Sequence, residues 1–232
     1  MVREQISTQE NPGLTTPRGA AIAGVMFSVL FIVSLSLVRY AIPEDPSQPG
    51  EWLTEPSRRR AVQSAVDLVP FAGIAFLWFM GVLRSRLGQL EDQFFATVFY
   101  ASGLLFVAML FVGSSIGHAI LESVAAGKSD NSTYYFARRV SDTVVNLFAM
   151  KMAGVFIFST CTIGLRTRIF PRWIAVVGYG CGLALLVVIS NWRWITLVFP
   201  IWMLLLSVYI FLADLFGHRA STDRPDIRIA RL

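Results

Sequence analysis

Apolar residues gather into six long runs along this chain, separated by short polar or charged segments. The runs cover residues 19–41, 61–83, 94–121, 140–165, 173–190 and 194–216. Since a membrane-spanning helix needs about 20 mostly apolar residues, these runs predict six transmembrane helices. The pattern therefore predicts an all-α, polytopic membrane protein with one transmembrane domain over 19–216. A polar N-terminal segment, 1–18, precedes the domain and a basic tail, 217–232, follows it.

Composition agrees with a chain that lies mostly in lipid. Hydrophobic residues make up 55% of the 232 residues and charged residues only 15%, and the mean hydropathy is +0.59. The first expected partner is therefore the lipid bilayer. Arginines lie mostly between the apolar runs, so they form no basic domain of the kind that binds nucleic acid. The first run is longer than the core of a cleavable signal peptide, which predicts an uncleaved anchor.

The distribution of Lys and Arg among the connecting segments predicts the orientation. Eleven of these residues lie on the side that holds both termini and eight lie on the other side. Because positively charged segments tend to stay in the cytoplasm, both termini are predicted to be cytoplasmic. The remaining basic residue, Lys151, lies inside the fourth run.

The fourth run, VSDTVVNLFAMKMAGVFIFSTCTIGL, carries polar side chains at membrane depth. Eleven residues separate Val140 from Lys151, a rise of about 16 Å that puts the lysine near the middle of the bilayer. An ammonium group there is costly without a partner or water. Asp142 and Asn146 lie four residues apart on one face of the same helix, and the long lysine side chain could reach them. The interpretation is a polar pocket or an ion pair.

Asp67, in the second run, lies at the most similar depth and is the predicted counter-ion of Lys151. Pro70 follows three residues later. Because proline has no N–H, we expect it to kink the helix and to free the carbonyl of Val66. A free carbonyl beside an acid is also what a proton or ion site would offer. The counter-ion and the ion-site interpretations both stay open at this point.

The third run ends with Ser114, His118 and Glu122 at intervals of four residues, on one helix face. The spacing of the first two resembles one motif of the seven-helix zinc amidohydrolases related to ceramidases. The His-x-x-x-His pair that those proteins carry late in the chain is absent. One histidine with scattered acids makes a poor zinc site. We therefore predict a hydrogen-bonded interfacial His118, with no metal and no cofactor.

Two predicted helical hairpins resemble each other. Arg59-Arg60 followed by Val66-Asp67-Leu68 aligns with Arg138-Arg139 followed by Val145-Asn146-Leu147, at a shift of 79 residues. The third and fifth runs align at the same shift. Helices 2–3 and 4–5 would then be parallel repeats in which Asp67 corresponds to Asn146. The alternative is a chance match between apolar segments.

Glycine pairs four residues apart occur in two of the runs. Gly113-x-x-x-Gly117 and Gly178-x-x-x-Gly182 permit close approach of helices. They favour either packing within one bundle or a homo-oligomer, and another membrane protein is a further candidate partner.

Two stretches resemble segments of a known family. Pro171-Arg172-Trp173-Ile174-Ala175, at the start of the fifth run, and the opening Arg18-Gly19-Ala20-Ala21-Ile22-Ala23-Gly24-Val25 are similar to segments of an uncharacterised family of bacterial six-helix membrane proteins of this length. The resemblance implies a location in the bacterial inner membrane. The family has no established activity, so the resemblance implies no functional residue.

Three functions fit these features. The first is a membrane protein that binds a ligand or partner through a polar pocket in the outer half of the bilayer. The second is a proton- or ion-coupled small transporter that uses Asp67 beside the kink at Pro70. The third, a metal-dependent membrane hydrolase, has the least support. The residues that would line the pocket are Asp67, His118, Asp142, Asn146 and Lys151.

Overall fold

The computed structural model describes residues 17–43, 54–87, 93–127, 130–167, 171–187 and 194–222. All regular structure in these residues is helical. The helices are α1 (Pro17–Ala41), α2 (Pro56–Leu87), α3 (Gln93–Ala125), α4 (Asn131–Asp142), α5 (Met150–Thr167), α6 (Arg172–Val187) and α7 (Val198–Thr222). A π-helical segment, Thr143–Ala149, joins α4 to α5, and a 3₁₀ turn, Ile195–Leu197, leads into α7.

Among the described residues, five helical segments are long and apolar enough to cross a membrane, so this is a multi-pass membrane protein. They are α1, α2, α3, the continuous α4–α5 run and α7. The sixth, α6, is apolar but has 16 residues. Its described residues rise about 24 Å, and residues 188–193, which follow them, lie outside the described part of the chain. The predicted fold class, an all-helical polytopic bundle, is confirmed.

The helices form a closed ring in chain order. Each helix packs against the next one along the chain, and α7 returns to α1. Arg18 Nε lies 2.7 Å from Asp214 Oδ2 and joins the ends of α1 and α7. We call this side of the bundle the terminal side. At the opposite, distal side, the guanidinium group of Arg39 lies 5.1 Å from the ring centroid of Trp194.

Phenylalanine rings fill the centre of this ring of helices. Neighbouring ring centroids lie between 4.8 and 6.2 Å apart, in tilted and edge-to-face arrangements. Such pairs stabilise a core by about 0.5–1.5 kcal/mol each beyond the burial of their area. The almost fully buried rings come from five helices and are Phe27, Phe31, Phe76, Phe79, Phe99, Phe106, Phe156 and Phe199.

The outside of the bundle is also apolar. Ile22, Phe71, Val176 and Ile201 are each more than half exposed. Large apolar patches of this kind are rare on soluble monomers. They match the acyl chains of a bilayer, which agrees with the length and composition of the helices.

The fourth helical run begins earlier than predicted. It is helical from Asn131, nine residues before the predicted start at Val140. Asp130 caps this end, because its carboxylate accepts a hydrogen bond of 3.0 Å from the backbone N–H of Thr133. The prediction missed α4 because its twelve residues are amphipathic, whereas the membrane criterion detects only continuous apolar runs. The run with its π segment spans 37 residues.

The distal ends of α1 to α4 pack around a small second core. It consists of Ala41, Val62, Leu121 and Tyr134. Nearby, Arg138 Nη2 donates a hydrogen bond of 2.8 Å to the carbonyl oxygen of Pro43. Since α2, α3 and the α4–α5 run rise about 48–55 Å, they extend beyond a bilayer, and the second core lies near or outside its distal boundary.

Some predicted features are not settled by these helices. Residues 1–16 and 223–232 lie outside the described residues, and α7 continues to Thr222, six residues into the predicted tail. The hairpin repeat stays a prediction. Its first hairpin would pair helices of 32 and 33 residues, whereas its second would pair the 37-residue run with the 16-residue α6.

Candidate functional site

The ammonium group of Lys151 lies at the end of α6. Its Nζ donates a hydrogen bond of 3.1 Å to the carbonyl oxygen of Leu185 and a second bond to that of Leu186. Both carbonyls belong to the last described turn of α6, and residues 188–193, which follow it, lie outside the described residues. This turn lies toward the negative pole of the helix dipole. Backbone carbonyls of α6 are therefore observed partners of the lysine ammonium group, and no side chain marks them in the sequence.

Small residues bring α5 and α6 close enough for this contact. A Cβ added at Gly154 would lie 3.1 Å from the carbonyl oxygen of Gly182, and one added at Gly182 would lie 3.2 Å from that of Gly154. Closer to the terminal side, the Thr162 and Tyr179 hydroxyls are 2.9 Å apart. The two helices run antiparallel, so Lys151 at the start of α5 meets the end of α6.

The level of Lys151 in the bundle follows from the arginines on the terminal side. Arg84 lies over the ring of Tyr100 at 5.1 Å, and Arg166 lies over the ring of Phe95 at 4.8 Å. If Arg166 marks the terminal boundary of the bilayer, Lys151 is fifteen residues away, a rise of about 22 Å. The lysine then lies in the distal third of a core about 30 Å thick.

Asp67 faces away from the bundle axis. Its side chain is exposed, as are those of Gln63 and Ser64 on the same face of α2. The carbonyl that Pro70 frees is not open, because Ser114 Oγ of α3 donates a hydrogen bond of 3.1 Å to Val66 O. A neighbouring helix thus satisfies the polar notch that the sequence predicted.

Ser114 belongs to a set of three serines that join neighbouring helices at one level. Ser34 Oγ of α1 donates to Ala65 O of α2 at 2.8 Å. Ser141 Oγ of α4 donates to the carbonyl oxygen of Gly113 in α3 at 3.1 Å. We call Ser34, Ser114 and Ser141 the serine belt. The sequence does not reveal this belt, because a serine in an apolar run does not show which helix it faces.

His118 is exposed on α3 and pairs with the next turn of its own helix. Its Nε2 lies 3.4 Å from Glu122 Oε1. Ser114, predicted on the same face, directs its hydroxyl to α2 instead. Within the described residues, no group of three His, Cys, Asp or Glu side chains could hold a metal ion.

Asp142 and Asn146 lie on either side of the start of the π segment. Asp142 ends α4 and Asn146 lies within Thr143–Ala149, and both side chains are exposed. They share the distal part of the bundle with Asp67 and His118. We call these four exposed residues, Asp67, His118, Asp142 and Asn146, the distal rim.

The polar pocket of Asp67, His118, Asp142, Asn146 and Lys151 stays a prediction: the first four side chains are exposed and that of Lys151 is partly buried. The hydrogen bonds of the serine belt put Asp67 level with Ser141, ten residues from Lys151, which is a rise of about 15 Å. In addition, α3 lies between α2 and the α4–α5 run. The Asp67–Lys151 ion pair stays a prediction, and the observed contacts of Lys151 offer α6 as its partner.

The glycine pairs contribute to packing within the bundle. A Cβ at Gly113 would clash with Val145, and one at Gly178 would clash with Cys161 and Trp202. Homo-oligomer formation through these motifs therefore stays a prediction.

Comparison of the chain with protein-family models, with curated proteins and with solved structures finds no match.

Proposed function

We propose that this chain is a membrane-embedded binding protein that takes a ligand or partner at the distal boundary of the bilayer. The observation that carries this proposal is the exposure of the whole distal rim. Polar side chains that face outward near lipid are costly unless water, headgroups or a polar partner meets them. Lys151 has a supporting role here, since it fixes α5 to α6 below the rim.

A transporter that uses Asp67 has less support. Asp67 points outward, whereas the centre of the bundle is packed with phenylalanine rings. Coupled transport requires a path for the ion to a group at membrane depth. The Val66 carbonyl, which would contribute to such a site, already accepts a hydrogen bond from Ser114 Oγ. A metal-dependent hydrolase has less support still, for want of a ligand set among the described residues.

Photo-cross-linking in native membranes tests the binding proposal. Benzoylphenylalanine is placed at Ser115, which is exposed beside His118, and at the control positions Val29 and Ile201, which are exposed on other helices. We expect one adduct of defined mass at Ser115 only, and we expect D67N to weaken it. Lipid adducts alone, or the same adducts at all three positions, would refute binding at the rim.

Proton flux in proteoliposomes separates binding from transport. We expect a pH gradient to decay at the same rate with the purified protein as in empty vesicles. A flux that disappears in D67N would establish the transporter instead.

We also propose that the membrane is the bacterial inner membrane and that the distal side faces outward. The excess of arginine on the terminal side and the family resemblance support this placement. In a background without native cysteines, a cysteine at the exposed Phe136 should react with an impermeant maleimide in intact cells. A cysteine at Arg84 should react only after lysis, and the reverse pattern would invert the orientation.

A further inference from the structure

The π segment Thr143–Ala149 interrupts a continuous helical run whose two flanks are held by different parts of the bundle. On the α5 flank, Lys151 bonds to the end of α6. On the α4 flank, Ser141 bonds to Gly113 of α3 and Arg138 bonds to Pro43 beyond the end of α1. The two flanks therefore have different hydrogen-bond partners, while α3 packs along both flanks and along the segment itself.

A π turn holds one residue more than an α turn, because its hydrogen bonds close over five residues instead of four. The segment thus stores an extra residue between the two anchors. If its hydrogen bonds change to the α pattern while α5 stays fixed on α6, α4 has to turn. One residue of an α-helix corresponds to about 100° of rotation and 1.5 Å of rise.

Local sequence and position favour such a change. Thr143, Val144 and Val145 are consecutive β-branched residues, which are weaker helix formers than straight-chain residues. The segment lies further from the terminal side than Lys151 does, near the distal boundary, and its Asn146 is exposed. Water at that level can bond to backbone carbonyls while they exchange partners.

We infer that Thr143–Ala149 is a two-position joint at which α4 rotates relative to α5, the π and α patterns being the two positions. Rotation of α4 would release the Ser141–Gly113 and Arg138–Pro43 bonds and move Tyr134 in the second core. It would also turn Asp142 away from its present direction. The joint would thereby alter what the distal rim presents. This inference concerns the motion alone and does not depend on what the rim binds.

Deletion of Val144 tests the joint. It removes the extra residue of the π turn, so an α-helical connection would then keep the contacts of α4 and of α5 in their present positions. The readout is the distance distribution between spin labels at Tyr40 and Phe136, both highly exposed, in a background without Cys161 and Cys181. For a side chain about 5–6 Å from the helix axis, the rotation moves the α4 label by about 8 Å. We expect two distances in the full-length protein and one, that of the present structure, in the deletion variant.

Each other outcome would overturn the inference. A single distance in the full-length protein would mean that the segment is a fixed irregularity. Two distances in the deletion variant would place the motion elsewhere, and failure of this variant to fold would refute the register argument. Deletion of Ala137 from α4 is the matched control. It should destabilise the fold, since it shifts Ser141 relative to the end of α4 that packs in the second core.

Discussion

Replacing Ser114 with alanine removes the hydroxyl that donates a hydrogen bond to Val66 O, the carbonyl that Pro70 leaves without a partner in α2. Ser114 Oγ lies 3.1 Å from Val66 O, and Pro70 has no N–H for that carbonyl. Hydrogen bonds between membrane helices contribute about 0.6 kcal/mol on average and at most about 1.7. Because S114A also leaves the carbonyl unpaired in an apolar setting, we expect a loss near the upper end, about 1.5 kcal/mol.

The variant P70A makes this reasoning falsifiable. Alanine restores the N–H that bonds to Val66 O within α2, so S114A in the P70A background should cost no more than about 0.5 kcal/mol. The difference, a coupling energy of about 1 kcal/mol, is measured by a double-mutant cycle. The free energy of unfolding is obtained by SDS titration in mixed micelles for the four proteins.

Ser115 supplies the matched control for this cycle. Its hydroxyl bonds to Phe111 O in its own helix at 2.8 Å and is exposed, so S115A should leave the free energy of unfolding almost unchanged. Equal losses for S114A with and without Pro70 would refute the idea that serine repairs the proline defect.

Three further predictions concern the α5–α6 contact and the cap of α4. K151M should lower the free energy of unfolding by about 2 kcal/mol in SDS titration, since it removes charge-assisted bonds to α6. Unchanged stability would contradict a stabilising role for these bonds. G154A should lower the free energy of unfolding by about 1–2 kcal/mol, because its Cβ would lie 3.1 Å from a carbonyl oxygen of α6. At Gly180 an added Cβ meets nothing within 4 Å, so G180A should leave the free energy of unfolding unchanged. Hydrogen bonds, chiefly from Thr133, lower the pKa of Asp130 to about 2 from 3.8. The cap should therefore be complete above pH 3.8 and be lost as the pH falls through about 2, and amide exchange of Thr133 would report this loss. D130N should keep the cap without this pH dependence. Equal pH dependence in both proteins would contradict a role for the Asp130 carboxylate in it.

Most of the fold could be predicted because lipid imposes a strong rule on sequence. A span needs a continuous apolar run, and five of the six runs are visible as long helices for that reason. The same rule explains the error at α4. Its residues need not be apolar, since the helix projects beyond the bilayer and is fixed by the Asp130 cap and by Tyr134 in the second core.

The candidate site was less predictable, because facing directions depend on helix packing. The sequence shows Asp67, Asp142 and Asn146 as polar groups in or near apolar runs, but a run without alternation does not show which face turns inward. The partner of Lys151 was hidden for another reason. It consists of backbone carbonyls, and no side chain in α6 marks them in the sequence.

This pairing has a consequence for how a lysine in a membrane span is interpreted. A search for acids at equal depth assumes that only a carboxylate can be the partner of an ammonium group. Backbone carbonyls near a helix end also have unused lone pairs, and that end carries about half a negative charge. In this chain the acceptors are the carbonyl oxygens of Leu185 and Leu186, in the distal part of α6. A lysine in one apolar run should therefore be interpreted together with the backbone of the helix that packs beside it, and not only with acids at its own depth.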